Sequence, residues 1–347
     1  MKKQSLIILI GIVCSIFFFP FFTTTYGAPD KPIELKASSS NPGILPISKV
    51  TEAWAKKVEE LSGGTVKLTF YWGGTLAQHR DSYQVIQTGV ADIGMYLIGR
   101  QHGLHTLNEF TGLPMMGWKD IYSATKIYHE MRKKFPQLDA EFKGVKTLYL
   151  TFMPADQLHF TKKTVRTMED MRGLRILCGQ KITEFVSALG ATPIDKPGGD
   201  WYMSLQTGLV DGQATHYPAI GAFKTEELFG NHLETPGGIG LNTLGWYINM
   251  DTWNKLPPKA QKAFMDVQDW VEQETLKTDS GLIEVGLAAA LKMGHPIQQL
   301  APEERERWMK LAVPIHEKWI AAQEAKGLPG RAVYNEAKRL IAESYKK

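Results

Sequence analysis

Cysteine is nearly absent from this chain: two residues in 347, Cys14 and Cys178. Cys14 falls inside an apolar N-terminal run, so a chain trimmed of that run keeps one thiol and can form no internal disulfide. Such a chain must rest on its core, and its length suits two α/β lobes. The remaining thiol, Cys178, ends an apolar strand and reads as a buried structural residue. Charge of one sign is scarce as well. Lys and Arg number 40 against 36 Asp and Glu, a formal +4 with no Lys/Arg-rich run, which is too weak a field to argue for nucleic acid. There is no low-complexity tract, no G-x-S-x-G elbow, no P-loop and no H-E-x-x-H, so the sequence handles of common catalytic classes are missing. Gly237–Gly240 is glycine-rich but follows no strand of a dinucleotide unit. His102 and His105 are spaced i, i+3 without an acidic or cysteine partner at ligand spacing, and read as a solvated loop rather than a metal site. The expectation is no metal and no cofactor.

The N-terminus has a charged start (Lys2, Lys3), an apolar run from Leu6 to Phe22 with Pro20 near its end, and small residues at Gly27 and Ala28. This is the pattern of a cleavable export signal over residues 1–27, too short for a comfortable membrane span. Cys14 follows bulky Val13 and is a poor lipoprotein cysteine. Loss of the two leader lysines takes the net charge from +4 to +2.

Beyond the leader, helix and strand signals alternate. Ile33–Ser38 and Val66–Trp72 read as strands, with a helix through Ile47, Val50, Trp54, Val58 and Leu61 between them. A helix over Ser82–Thr88 leads to a strand at Ala91–Tyr96. Asp120–Lys134 is helical and Val145–Phe152 a buried strand. A second series follows: strand Gly173–Cys178, helix Lys181–Leu189, extended Ala191–Asp195, helix Trp201–Thr207. Thr243–Met250 is another strand. The pattern from Pro258 to about Lys292 predicts one long helix, Ala301–Ala312 begins another, and the last covers about Arg331–Ser344. Alternation of this kind predicts βαβ units with a largely parallel sheet.

One phrase occurs twice. Ile86–Gly94 reads IQTGVADIG and Leu205–Gln213 reads LQTGLVDGQ. Each fits a helix end, a glycine turn and a short strand, with Gly89 and Gly208 at the C′ position where positive φ costs little without a Cβ. Asp92 and Asp211 are expected to bond N–H groups of their own turns. Together the pair predicts two lobes built on one plan.

The segments GLRIL (Gly173–Leu177), ALGATPI (Ala188–Ile194), LQTGLVDGQ and WNKLPPKAQKAF (Trp253–Phe264), in this order and spacing, resemble the extracytoplasmic solute-binding proteins of TRAP (tripartite ATP-independent periplasmic) transporters. The resemblance covers nearly the whole chain after the leader. It implies an α/β, two-lobed clamshell fold with crossing strands and a long spanning helix. Lobe I would comprise residues 28–153 plus about 243–282, and lobe II residues 154–242 plus about 283–347 with the C-terminal helices. It implies a periplasmic protein, not an enzyme, that closes on a small organic solute and delivers it to membrane permease subunits driven by an ion gradient. An ABC-type binding protein and a secreted enzyme are the rival classes. The oligomeric state, monomer or dimer, stays open.

The chain departs from that family where solute is held. The strand corresponding to GLRIL usually ends in an arginine that clamps a carboxylate; here it is Leu177. A second family arginine often stands in the strand before HFT, in a G-F-R-x-F-T pattern; here the position is Leu158. An unpartnered buried carboxylate costs about 2–5 kcal/mol, so two readings remain. Either the solute lacks a carboxylate or carries positive charge, held by aromatics and an acid, or another cation replaces the clamp. Lys181 is the first candidate for that cation and Arg175 a weaker one. By position, Gln157, His159, Gln180, Thr215 and His216 are expected near the solute, with Tyr96 and Trp246 as rings that could stack on it.

Overall fold

A computed structural model describes residues 31–99 and 103–346. The leader, Cys14 and His102 lie outside the described residues. Among the described residues, eleven strands form two sheets: β1 (Ile33–Ser38), β2 (Val66–Tyr71), β3 (Ile93–Leu97), β4 (Val145–Phe152), β5 (Gln157–Phe160), β6 (Arg175–Leu177), β7 (Thr192–Ile194), β8 (Gly212–Thr215), β9 (Asn231–Glu234), β10 (Thr243–Asn249) and β11 (Ile297–Gln299). The first sheet has the order β2-β1-β3-β10-β4 and the second β11-β9-β5-β8-β6-β7.

Parallel pairing holds within the strand–helix–strand runs: β1 with β2 and β3, β6 with β7 and β8. It fails where the chain crosses between lobes. β10 returns from the second lobe and lies antiparallel between β3 and β4, and β5 enters antiparallel to β8 and β9. Both sheets are therefore mixed. β10 is buried along its whole length, as a central strand covered on both faces must be. Leu244, Trp246 and Ile248 join one apolar cluster and Tyr247 the other.

The repeated phrase marks equivalent corners. Gly89 and Gly208 have φ of 74° and 70°. The two aspartates do not bond their own turns, as the sequence suggested, but reach the neighbouring parallel strand. Asp92 accepts from the Lys36 N–H at 2.9 Å and from Thr252 Oγ1 at 3.0 Å. Asp211 accepts from the Arg175 N–H at 2.8 Å and takes both ends of its guanidinium, Nε at 2.9 Å and Nη2 at 2.8 Å. An ionised carboxylate is a strong acceptor, and each one pins β1 or β6 to the strand that follows its corner.

The helical stretch expected from Pro258 to Lys292 is two helices, Pro258–Asp266 and Gln268–Lys292, separated at Val267 with φ −97° and ψ 1°. The break lets buried Val267 and Val271 both join the first-lobe core. The longer helix spans the molecule. At its start Glu272 accepts from the Leu150 N–H and pairs with His129; further on, Ile283 and Leu287 pack on a second-lobe cluster. The C-terminal helices divide between lobes instead of staying with the second. In Pro302–Glu324, Trp308 and Ala312 pack on the second lobe, and Trp319 and Ile320 on the first. The helix Gly330–Ser344 packs through Val333, Ala337 and Ile341 into the first-lobe core beside Tyr128 and Met131.

Candidate functional site

Parallel strands place their C-terminal ends together, and in α/β proteins that edge forms the binding crevice. In the first lobe, β1 leads into Ser39, Ser40 and Asn41, and β2 leads into Trp72. Ser40 Oγ lies 2.7 Å from His79 Nδ1. The Trp72 ring stacks on Phe70 at 4.6 Å and meets Trp246 edge-on at 6.4 Å, while Trp246 stacks with Tyr149. The Trp72, Trp246 and Tyr149 rings, with Ser39, Asn41 and Thr275, surround a void of about 10 Å³, the size of one water. In the second lobe, β6 leads through Gly179 into a turn of 3₁₀ helix at Gln180–Ile182, and β8 leads to Thr215 and His216.

The two edges meet at Lys181. Its ammonium is buried, and its side chain lies against two glycines of the first lobe. A β-carbon at Gly99 would stand 2.1 Å from Lys181 Cε, and one at Gly112 would stand 2.8 Å from Cδ and 3.0 Å from Nζ. Gly99 also has φ +83°, which only glycine adopts without strain. The glycines make room for a lysine stem that crosses from one lobe to the other. Beside it, Asn242 donates to Asp156 at 3.2 Å in the hinge strands.

The other expected residues are placed as follows. Gln180 is half-buried in the same turn as Lys181. His216 caps the helix Tyr217–Ala222, its Nδ1 accepting from the Ala219 N–H. Gln157 has its amide committed to Thr235, accepting from the Thr235 N–H at 2.8 Å and donating to its carbonyl at 3.3 Å. Trp246 is buried behind Trp72. Two expectations are corrected by burial: Tyr96 and His159 are both fully enclosed and present no face to a solute. Tyr96 packs among Tyr83, His105 and Tyr247. His105, expected on a solvated loop, is part of that core, its Nδ1 3.2 Å from Tyr96 Oη. Arg175 is engaged by Asp211 and is not available as a clamp. Leu158 and Leu177 are buried on opposite faces of the second sheet. Leu158 packs with Phe160, Ile176 and Ile182, and Leu177 with Leu205, Tyr217 and Ile220.

His159 starts a chain of histidines that the sequence did not reveal. Its Nε2 lies 3.1 Å from the Thr215 carbonyl, its Nδ1 2.7 Å from His232 Nδ1, and His232 Nε2 3.3 Å from His295 Nδ1. A carbonyl only accepts, so His159 Nε2 donates to Thr215. His159 Nδ1 then accepts from His232, and His232 Nε2 accepts from His295. Each ring is neutral in this arrangement. Burial holds the pKa of His159 well below its ordinary value, helped by His232, and lowers that of His232 to about 4, helped by His295. Strands β5 and β9 and the turn that leads into β11 bring the three histidines together from positions far apart in sequence, with β8 supplying the Thr215 carbonyl.

Comparison with known proteins finds relatives of the same two-lobed fold. Residues 38–323 match the bacterial extracellular solute-binding proteins of family 7 (DctP). The sialic acid-binding periplasmic protein SiaP of Vibrio cholerae is 27% identical over 260 residues, 70% of this chain and 76% of that protein. The ectoine-binding periplasmic protein TeaA of Halomonas elongata is 24% identical over 281 residues, 78% of this chain and 79% of that one. A TRAP periplasmic solute-binding protein of Bordetella bronchiseptica, crystallised with (R)- and (S)-mandelate, superposes with a TM-score of 0.80 at 21% identity over 90% of this chain and 99% of that one. Among the described residues no helix is long and apolar enough to cross a membrane.

Proposed function

The chain belongs to the bacterial extracellular solute-binding proteins of family 7, the binding subunits of TRAP transporters, and we propose that it captures one small organic solute in the seam crossed by Lys181 and passes it to the membrane subunits. The family is one of binders, not enzymes. Export by a cleaved leader at residues 1–27 belongs to the same reading.

The observation that carries it is the fit of Lys181 between Gly99 and Gly112. Hinge-closing binders bring two rigid lobes together around a ligand, and here a cation of one lobe is seated in a recess of the other. The solute is accordingly a small organic acid held by one lysine. Lysine offers a compact point charge and arginine a two-pronged fork. A charge-assisted hydrogen bond contributes about 1.5–3 kcal/mol, less than a pair of bidentate arginines provides. SiaP, TeaA and the mandelate-binding protein each take a small organic molecule, consistent with a solute of this class.

A second reading has its own observation. Trp72, Trp246 and Tyr149 cluster beside Ser39 and Asn41. Such a wall suits a neutral or cationic solute. A thermal-shift panel of the protein without its leader separates the two. A ligand at 100 times its Kd stabilises the fold by about 2.7 kcal/mol. The first reading predicts that monocarboxylates give the largest shifts. Largest shifts from amines or polyols would replace it with the second, and turnover of any bound solute would contradict both.

A further inference from the structure

The hydrogen bonds of the histidine chain in the second lobe fix what it can do with a proton. His159 and His232 are 0% and 2% exposed, and His295, just past the end of the spanning helix, is half-buried. The Thr215 carbonyl is an acceptor only, so it requires a proton on His159 Nε2. The contact of His159 Nδ1 with His232 Nδ1 needs one proton between its two nitrogens, and so does that of His232 Nε2 with His295 Nδ1. Those three protons are the ones that three neutral rings carry. The remaining nitrogen, His295 Nε2, is the outer end of the chain.

A fourth proton fits on that nitrogen, and each contact keeps its single proton wherever the charge then resides. With the bonds as they stand, the charge is on His295. When the bond between His295 and His232 reverses direction, it is on His232; when both bonds reverse, it is on His159. There it lies against the peptide joining Thr215 to His216, where β8 runs out at the cleft edge of the lobe. A fifth proton sets two N–H groups face to face and breaks one contact. Burial lowers all three rings, and beyond burial His295 holds His232 down and His232 holds His159 down, so protons enter from the outside.

The surroundings do not supply a fixed counter-charge to the inner rings. His216, at the start of the helix Tyr217–Ala222, lowers His159 further. Tyr217, its ring centroid 5.0 Å from that of His159, gives its hydroxyl to Glu234. Glu234 shares the face of β9 with His232 and is also engaged by Gln299. The spanning helix covers this face with Ile283 and Leu287, and Lys292 in its last turn is exposed.

We propose that the chain is an acid-responsive switch. It takes up one proton at His295 with every hydrogen bond kept, shares the charge inward as far as the cleft edge at Thr215, and parts between strands when a second proton arrives. Chains of hydrogen bonds polarise one another, so the cleft edge senses the first proton before any contact breaks. The switch stands on the spacing of the rings, whichever solute fills the seam.

The test follows the ring nitrogens by NMR in protein labelled with nitrogen-15 histidine and carbon-13 threonine, without solute, acidified from about pH 8. At the start His159 is expected to carry its proton on Nε2, and His232 and His295 theirs on Nδ1. On acidification His295 is expected to take up a proton ahead of His232, and the Thr215 carbonyl shift to move with that first proton. His295→Gln, which removes the entry nitrogen, is expected to abolish the movement of Thr215 over the pH range in which His295 titrates. A His232 proton on Nε2 at the start, an inner ring protonated before His295 or all three together, or a Thr215 shift that ignores His295 would each overturn the proposal. The unaltered protein decides the matter even where the variant does not fold.

Discussion

Lys181 of the second lobe fills the space where a side chain on Gly112 of the first lobe would stand, its Cδ 2.8 Å and Nζ 3.0 Å from that β-carbon position. Gly112→Ala is therefore predicted to hinder seating of Lys181. Gly112 sits in a 3₁₀ turn and needs no positive φ, so the fold should persist with a small change in unfolding temperature. Solute affinity should fall about tenfold or more, about 1.4 kcal/mol. Calorimetric titration of both proteins checks this, and equal affinities would show that the contact is incidental.

Restoring arginine where the family usually has it is predicted to damage this protein. Leu158 is 0% and Leu177 1% exposed, each inside an apolar cluster. Leu158→Arg or Leu177→Arg buries a guanidinium without a partner, at a cost of about 3–5 kcal/mol. Denaturant unfolding of the variants should show that loss with no gain in carboxylate binding.

The paired corners predict paired effects. Asp92→Ala leaves the Lys36 N–H and Thr252 hydroxyl without their acceptor, and Asp211→Ala does the same to the Arg175 N–H and guanidinium. Each should cost about 1–2 kcal/mol. The ion-pair share of the second is small, because Arg175 and Asp211 are both substantially exposed. A near-zero effect at either corner in thermal unfolding would remove the strapping role.

Acid should destabilise the fold through its buried histidines. His105, His216 and His232 are each lowered to about 4 by burial, so the unfolded chain takes up protons first. Stability then rises with pH, is complete above the unfolded value near 6.5, and is lost as pH falls from there toward 4. Asp279, raised by burial to about 7, works the other way and favours the folded state at low pH, but it is one group against several. Unfolding free energy measured from pH 7 to 4.5 should fall, and His232→Gln should flatten the slope. An unchanged slope would remove His232 from the account.

Much of this fold is legible from local signals. Ile33–Ser38 and Val145–Phe152 coincide with the observed strands, and both corner glycines have the positive φ that their position after a helix predicts. Mixed pairing was not legible, because β5, β8 and β9 are short strands whose neighbours are set by the crossing of the chain. The histidine chain was hidden for the same reason: His159, His232 and His295 come together only through sheet order. Tyr96 misled because a strand-end aromatic looks alike in sequence whether it faces a cleft or the core. Lys181 was visible as a cation beside a missing arginine, but its recess at Gly99 and Gly112 depends on how the lobes close.

The most direct test of the central claim is the affinity of Lys181→Met for the solute that gives the largest thermal shift in the panel. The substitution keeps the stem and removes the charge. A loss of about tenfold to a hundredfold, or 1.5–3 kcal/mol, with an unchanged unfolding temperature in the absence of solute, is predicted. Unchanged affinity would contradict the assignment of Lys181 as the group that holds the solute across the seam.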